Sequence, residues 1–219
     1  MINYLATQKN WQNAFSDTIT SFAELAQALD LPIESFDSQV GQFPLKVPRR
    51  FVQKMAKGDI HDPLLKQVLP TFLETVQVTG FVTDPLDEQH ANPVKGIIHK
   101  YASRVLIPVT GACVVNCRYC FRQHFDYHEN LPTQNDWQAI SAYITAHPAV
   151  NEVILSGGDP LSLSNRRLLE IFTTLEALPQ VQTIRIHTRV PVMIPERLDE
   201  PLLARFANSR CHIVMVIHA

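Results

Sequence analysis

The chain has 219 residues, 46 % of them hydrophobic and 18 % charged, with a formal net charge of −2 at pH 7. That length suits one ordinary domain, or a small domain with part of a larger one, and the balance fits a globular protein with a sizeable core. It offers no electrostatic case for nucleic acid or an anionic membrane surface, and no apolar run approaches the ~20 residues that span a bilayer. Residues 1–10 lack the charged start and apolar core of a signal peptide. Cysteines that cluster, with only Cys211 remote, point to a reducing compartment, the cytoplasm, rather than to a disulfide scaffold.

Residues 1–100 predict a helical and irregular region. Ser21-Phe-Ala-Glu24 reads as a capping box opening a helix through about Leu29, with Phe22, Leu25, Ala26 and Leu29 on one side. Pro48 at a first helical position begins a second helix, which Gly58 is placed to end. Pro63 begins a third, stopped by Pro70. From Gly80 to Gly96, Pro85, Pro93 and several Asp and Asn residues predict an extended surface segment. Residues 101–219 change to strand and helix in alternation. Arg104–Val109 is β-rich. Thr133 is placed to cap a helix carrying Trp137, Ile140 and Ile144, ended by Pro148. Glu152–Ser156 is a short strand, and Ser164 caps a helix with Leu168, Ile171, Phe172 and Leu175 on one face. Val181–His187 is a strand, Asp199 precedes a helix with Leu202, Leu203 and Phe206, and Cys211–Ile217 is a fourth strand. Strands alternating with helices of this length imply an α/β fold of parallel strands joined by helical crossovers.

Directly after the first of these strands, Cys113, Cys117 and Cys120 form a C-x3-C-x2-C array. The chain holds 4 cysteines, so chance spacing of this kind has odds of only about 4 in 10,000 for a given cysteine. Thiolates bind soft metals, and iron–sulfur cubanes usually take four cysteines. Three on one loop would leave one iron open for chemistry. The other predicted strand ends are polar as well. They carry Ser156-Gly157-Gly158-Asp159, then His187-Thr188-Arg189, then His218. In parallel α/β folds reactive residues sit at these carboxyl ends, and glycines let backbone approach a ligand closely. Arg118 and Arg122 flank Cys120, where they would balance an anionic thiolate cluster. Two other metal readings are open. Cys113, Cys117, Cys120 and His124 have the makings of a structural Cys3His zinc site, and Cys211 is a conceivable fourth ligand of an electron-transfer cluster, although it opens its strand at the opposite end.

The spacing, with Tyr119 before the third cysteine, resembles the radical S-adenosylmethionine (AdoMet) superfamily. Arg104-Val-Leu-Ile-Pro-Val-Thr110, Ser156-Gly-Gly-Asp-Pro-Leu161 and Arg185-Ile-His-Thr-Arg-Val-Pro191 resemble its lysine 2,3-aminomutase family. Val47-Pro-Arg-Arg50, Asp62-Pro-Leu-Leu65, Thr83-Asp-Pro-Leu-Asp-Glu-Gln-His90 and Cys120-Phe-Arg-Gln-His-Phe125 are similar to the branch that serves elongation factor P. The resemblance implies four βα units of a partial (βα)6 TIM-like barrel after the N-terminal helical region. It implies a [4Fe–4S] cluster on Cys113, Cys117 and Cys120, and AdoMet contacts from Tyr119, Gly157, Gly158, Asp159 and His218. It further implies Arg122 on the substrate carboxylate, with Lys100 and Arg104 on the phosphate of pyridoxal 5′-phosphate (PLP). The implied reaction is an isomerisation of free L-lysine to (R)-β-lysine, with a reductant such as flavodoxin. The β-lysine would pass to the elongation factor P ligase. In that family the PLP-anchoring lysine and about two further strands lie in a region with no counterpart here, so the chain alone is expected to be an inactive piece with an open apolar edge at Val214–Ile217.

Overall fold

A computed structural model describes residues 11–37, 41 and 43–219, and the signal-peptide reading of residues 1–10 lies outside them. The chain forms two compact units, one of residues 1–85 and 114–124 and one of residues 86–113 and 125–219.

In the first unit, residues 11–16 are helical. Strand β1 (Thr18–Ile19) pairs antiparallel with β2 (Val47–Pro48). Helix α1 (Phe22–Leu29) buries Leu25, Ala26 and Leu29, as its apolar spacing predicts, while Phe22 stays half-buried. Its predicted capping box does not form, because Ser21 makes no side-chain cap and the Glu24 carboxylate is taken by Arg49. The second predicted helix shrinks to α2 (Arg49–Val52). Beyond it the Lys54 and Met55 N–H groups reach only three residues back, to Phe51 and Val52. The third is a 3-10 turn, Leu65–Gln67. Pro63 and Pro70 leave room for less than two turns, too few to repay helix nucleation. Asp62 organises this segment instead, accepting from the N–H groups of Ala56, Leu64 and Leu65. Burial pushes its carboxyl up, but the three donors outweigh that and hold it below the usual range.

The second unit is built on a five-stranded sheet in the order β3-β4-β5-β6-β7. Residues 80–96 before it are mostly exposed turns with one 3-10 helix, close to the extended surface segment expected. Strand β3 (Ile98–Tyr101) runs antiparallel to β4 (Arg104–Thr110). From β4 onward every pairing is parallel. The short helix α3 (Tyr127–Asn130) and then α4 (Asp136–Ala146) lead to β5 (Glu152–Gly157). Helix α5 (Asn165–Glu176) leads to β6 (Thr183–Thr188). The short α6 (Val190–Met193) and then α7 (Glu200–Ala207) lead to β7 (His212–Ile217). The register sets Val105 beside Val153, Val153 beside Ile184 and Ile184 beside Ile213.

Local chemistry accounts for these elements. Ser164 and Asp199 cap α5 and α7 by accepting from the N–H groups of Arg167 and Leu202, each cap being worth about 1 kcal/mol. Thr133 does not cap α4. It stands outside the helix and bonds the Asp136 carboxylate through both its N–H and its hydroxyl. The helices bury Ile140, Ile144, Leu168, Ile171, Phe172 and Leu202, and Phe172 stacks on Phe206 with ring centroids 5.6 Å apart. Leu203, next to buried Leu202 in α7, is exposed. The result is an open α/β sheet with its four parallel strands in sequence order, as in a partial βα barrel. Strand β7 lies at the sheet's edge, with Ile213–Val216 half-buried and Ile217 exposed. Among the described residues no helix is long and apolar enough to cross a membrane.

Candidate active site

The carboxyl end of β4 is tied to the end of β5 by backbone bonds. The Gly158 N–H donates to the Thr110 carbonyl at 2.6 Å, and the Asp159 N–H donates to the Ala112 carbonyl at 2.8 Å. The Thr110 hydroxyl accepts from the Ala112 N–H at 3.1 Å. Cys113 is the next residue. Gly157 has φ +117°, a conformation L side chains rarely adopt, and a Cβ there would lie 2.5 Å from the Thr110 oxygen. A Cβ on Gly158 would lie 2.7 and 2.8 Å from the carbonyl carbons of Gly111 and Ala112. Both glycines are thus required by the backbone of the cysteine loop, not only by a ligand as the sequence suggests.

Beyond Cys113 the loop belongs to the first unit. Val114 and Val115 are buried, the Asn116 N–H donates to the Lys46 carbonyl at 2.9 Å, and the Arg118 N–H donates to the Gln67 carbonyl at 2.8 Å. The Arg118 guanidinium forks onto the Glu74 carboxylate, through Nε at 2.7 Å and also through Nη2, and donates to the Phe43 carbonyl at 3.2 Å. Its charge is paired with Glu74, and together with that of Arg122 it also favours the Cys120 thiolate. Arg122 is buried, with its guanidinium 4.8 Å from the Phe121 ring centroid. Cys113, Cys117 and Cys120 are half-buried and none of them is in a disulfide. Burial pushes the Cys120 thiol up, against the pull of the Arg122 N–H. Tyr119 and His124 are exposed.

Asp159 is buried, and its carboxylate accepts four hydrogen bonds. Oδ1 takes the Thr188 hydroxyl at 2.6 Å and the Leu161 N–H at 3.0 Å. Oδ2 takes the N–H groups of Arg189 at 2.6 Å and Val190 at 3.1 Å. Burial nevertheless outweighs them and leaves the carboxyl above its usual range. Arg197, fully buried, holds the segment that follows by donating to the carbonyls of Leu161 and Leu163 and to Asn165 Oδ1. Burial lowers its pKa to about 10, opposed by the charges of Asp199 and Asp159. At the sheet's far edge the rings of His187 and exposed His218 meet edge to face, 5.9 Å apart, and the His218 N–H donates to the Thr188 carbonyl at 3.0 Å.

Sequence reasoning missed Thr188 as a partner and Arg197 altogether. A threonine one residue past an apolar strand was the available signal for the first. A lone arginine in Pro-Glu-Arg gives none for the second.

Within the second unit the topology gathers Cys113, Gly157, Gly158, Asp159, Thr188 and His218 at one end of the parallel strands. Lys100 and Arg104 stand at the other. Arg104 opens β4, and the six residue steps to Thr110 span ~20 Å. Arg104 faces Glu152 at 3.8 Å, and the Lys100 ammonium bonds the Leu86 carbonyl. These two do not join the strand-end group, so the phosphate-holding expectation finds no support in the geometry. Cys211 lies at that far end as well, buried, its thiol donating to the Val181 carbonyl at 3.4 Å. That removes it as a fourth ligand. Among the described residues no group of three or more His, Cys, Asp and Glu side chains is arranged to hold a metal ion. The Cys3His zinc set is therefore not preformed. The three cysteines by themselves are likewise not gathered, while their donor chemistry suits an iron–sulfur cluster.

A family model described as the radical SAM superfamily matches residues 107–216. The chain is 44 % identical over 214 residues to an L-lysine 2,3-aminomutase of Haemophilus influenzae, covering 96 % of this chain and 63 % of that protein. It is 44 % identical over 216 residues to one of Escherichia coli, covering 97 % and 63 %. A Clostridium subterminale protein of the same name is 32 % identical over 203 residues, covering 90 % and 49 %. The chain thus spans less than two thirds of the length of these curated relatives.

Proposed function

The chain belongs to the radical SAM superfamily, and we propose that it is the greater part of a lysine 2,3-aminomutase, which moves the amino group of L-lysine from C2 to C3. The observation that carries this reading is the loop of three cysteines, none in a disulfide, leaving a parallel strand whose neighbour ends in Gly157-Gly158-Asp159. The identities to proteins of that name support the substrate. Cys113, Cys117 and Cys120 are assigned to a [4Fe–4S] cluster, leaving one iron without a protein ligand. When bound, the cluster with AdoMet supplies a radical able to remove hydrogen from an unactivated carbon.

The chain's own residues bind and orient. Gly157 and Gly158, with Tyr119 and His218, are assigned to AdoMet, and Arg122 to the substrate carboxylate, which a planar guanidinium matches in two parallel bonds. Arg122 fits because it is buried beside Cys120, where a charge-assisted pair is little screened by water. PLP is implied by the resemblance, but Lys100 and Arg104, the residues it implies for the phosphate, lie at the opposite end of the sheet from the strand-end group. The branch serving elongation factor P is proposed from Val47–Arg50, Asp62–Leu65 and Thr83–His90. It brings a ligase that takes β-lysine, a flavodoxin-like reductant and a cytoplasmic location.

The test is to supply the reconstituted, reduced chain with AdoMet and either L-lysine or another amino acid, and to measure 5′-deoxyadenosine by chromatography. Cleavage of AdoMet that lysine raises and other amino acids do not supports the assignment. Cleavage indifferent to lysine rejects the substrate while leaving the superfamily chemistry standing.

A further inference from the structure

We propose that Asp159 is a positioning residue, a buried clasp that sets where Cys113 leaves the sheet, rather than a ligand of AdoMet. An ionised carboxylate has about four lone-pair sites, and all four are filled by protein donors from Leu161, Thr188, Arg189 and Val190. The group is only 5 % exposed. Nothing remains of it for an incoming ammonium without breaking bonds of 2.6–3.1 Å. What Asp159 does make is a junction of three strand ends. Its side chain holds the end of β6 and the start of α6. Its own N–H holds the Ala112 carbonyl, one residue before Cys113. Between these, Gly158 presses on the same stretch of backbone so closely that no Cβ fits.

A buried charge with its full set of donors is fixed in place, since turning away any one donor strands a polar group. The clasp therefore transmits the geometry of β6 to the cysteine loop, and Thr188 is part of it although it lies 29 residues further along the chain. The inference rests on the radical SAM reading for the identity of the cluster that Cys113 would help to hold.

Hydrogen exchange by mass spectrometry on the wild-type chain, reconstituted anaerobically, tests it without a mutation. The amides of Arg189 and Val190 should keep or gain protection when AdoMet is added. Faster exchange in a peptide spanning residues 186–193 would mean that the carboxylate had turned to AdoMet, and would overturn the proposal. Substitutions supply the second arm. Thr188→Val should weaken AdoMet binding about tenfold and change the electron paramagnetic resonance spectrum of the reduced cluster. Thr188→Ser, which keeps the hydroxyl, should stay within about twofold of wild type. Adding Thr188→Val to Asp159→Asn should cost no more than about twofold beyond Asp159→Asn alone. If Thr188→Val matches wild type in affinity and spectrum while Asp159→Asn loses binding, Asp159 touches AdoMet and the inference fails by itself. A wild-type chain that takes up no iron instead contradicts the radical SAM reading, and this inference with it.

Discussion

Replacing Gly158 by alanine isolates the contact on which the strand-end geometry turns. Its Cβ would meet the carbonyl carbons of Gly111 and Ala112 at 2.7 and 2.8 Å, with the Ala112 oxygen closer still. All three are backbone atoms, so no flexible side chain can give way. Reaching an ordinary contact of 3.4 Å with the nearest of them needs the loop to move by roughly 1 Å. That shift stretches the bonds from Gly158 N–H to Thr110 and from Asp159 N–H to Ala112, now 2.6 and 2.8 Å. Each is worth about 1 kcal/mol, and overpacking adds about 1–3 kcal/mol. The expected loss is about 3–5 kcal/mol. Gly41→Ala serves as the control, since among the described residues its Cβ would meet only the Thr75 Cγ2 at 3.8 Å, and it should change stability by no more than about 0.5 kcal/mol. Urea midpoints at constant slope measure both, with iron per chain after reconstitution recorded alongside. A Gly158→Ala protein as stable as the Gly41→Ala control would refute the claim that the turn is held by backbone contact.

Arg122→Lys should weaken lysine binding by about 1.5–3 kcal/mol and AdoMet binding by much less, because an ammonium cannot reproduce the planar fork. Equal losses in calorimetric titrations of the two ligands would return Arg122 to simple charge balance. Arg118→Ala should destabilise the chain by about 2–3 kcal/mol, since it leaves the Glu74 carboxylate without its partner in a site where Arg118 is 8 % exposed and Glu74 19 %. A change below 0.5 kcal/mol on the order expected for open surface pairs would contradict this. For pH, the Arg185 guanidinium bonded to Glu152 holds that carboxyl below the usual range against burial. A depressed carboxyl adds stability above its unfolded pKa, about 4.3, and loses it as pH falls through the lower folded value. Wild-type urea midpoints should therefore fall on acidification below about pH 4–5, and Glu152→Gln should flatten that limb. An identical acid limb in the variant argues against the pair.

The parallel strands were legible because Arg104–Thr110, Glu152–Gly157 and Thr183–Thr188 concentrate β-branched residues between clear helix starts at Ser164 and Asp199. Strand β3 was not, since Ile98-His-Lys-Tyr is four residues long and mixed in character, and only pairing with β4 makes it a strand. Around Pro48 and Pro63 the punctuation suggested helices, but proline marks where a helix starts and says nothing of whether enough residues follow. The cysteine spacing declared the loop, while the partners that hold it, the carbonyls of Lys46 and Gln67, are far off in the chain and carry no side-chain signal. Asp159 stands in a motif whose importance is legible in the sequence, while its bonding partners are not. Its acceptor count became visible only once Thr188 and Arg189 were brought beside it. Arg197 was invisible for the complementary reason, as a charged residue reads as solvated until three acceptors surround it.

The central claim is that Cys113, Cys117 and Cys120 hold one four-iron cluster with an iron left open for AdoMet. Anaerobic reconstitution of the wild-type chain and of three single Cys→Ala variants, with iron and sulfide counted and the reduced spectrum recorded with and without AdoMet, addresses it directly. The account predicts about four irons and four sulfides per wild-type chain, a spectrum that AdoMet shifts, and loss of the cluster in each variant, while Cys211→Ala keeps it. A wild-type chain that binds zinc without sulfide, or a Cys117→Ala chain with full iron and the same AdoMet-shifted spectrum, would contradict it.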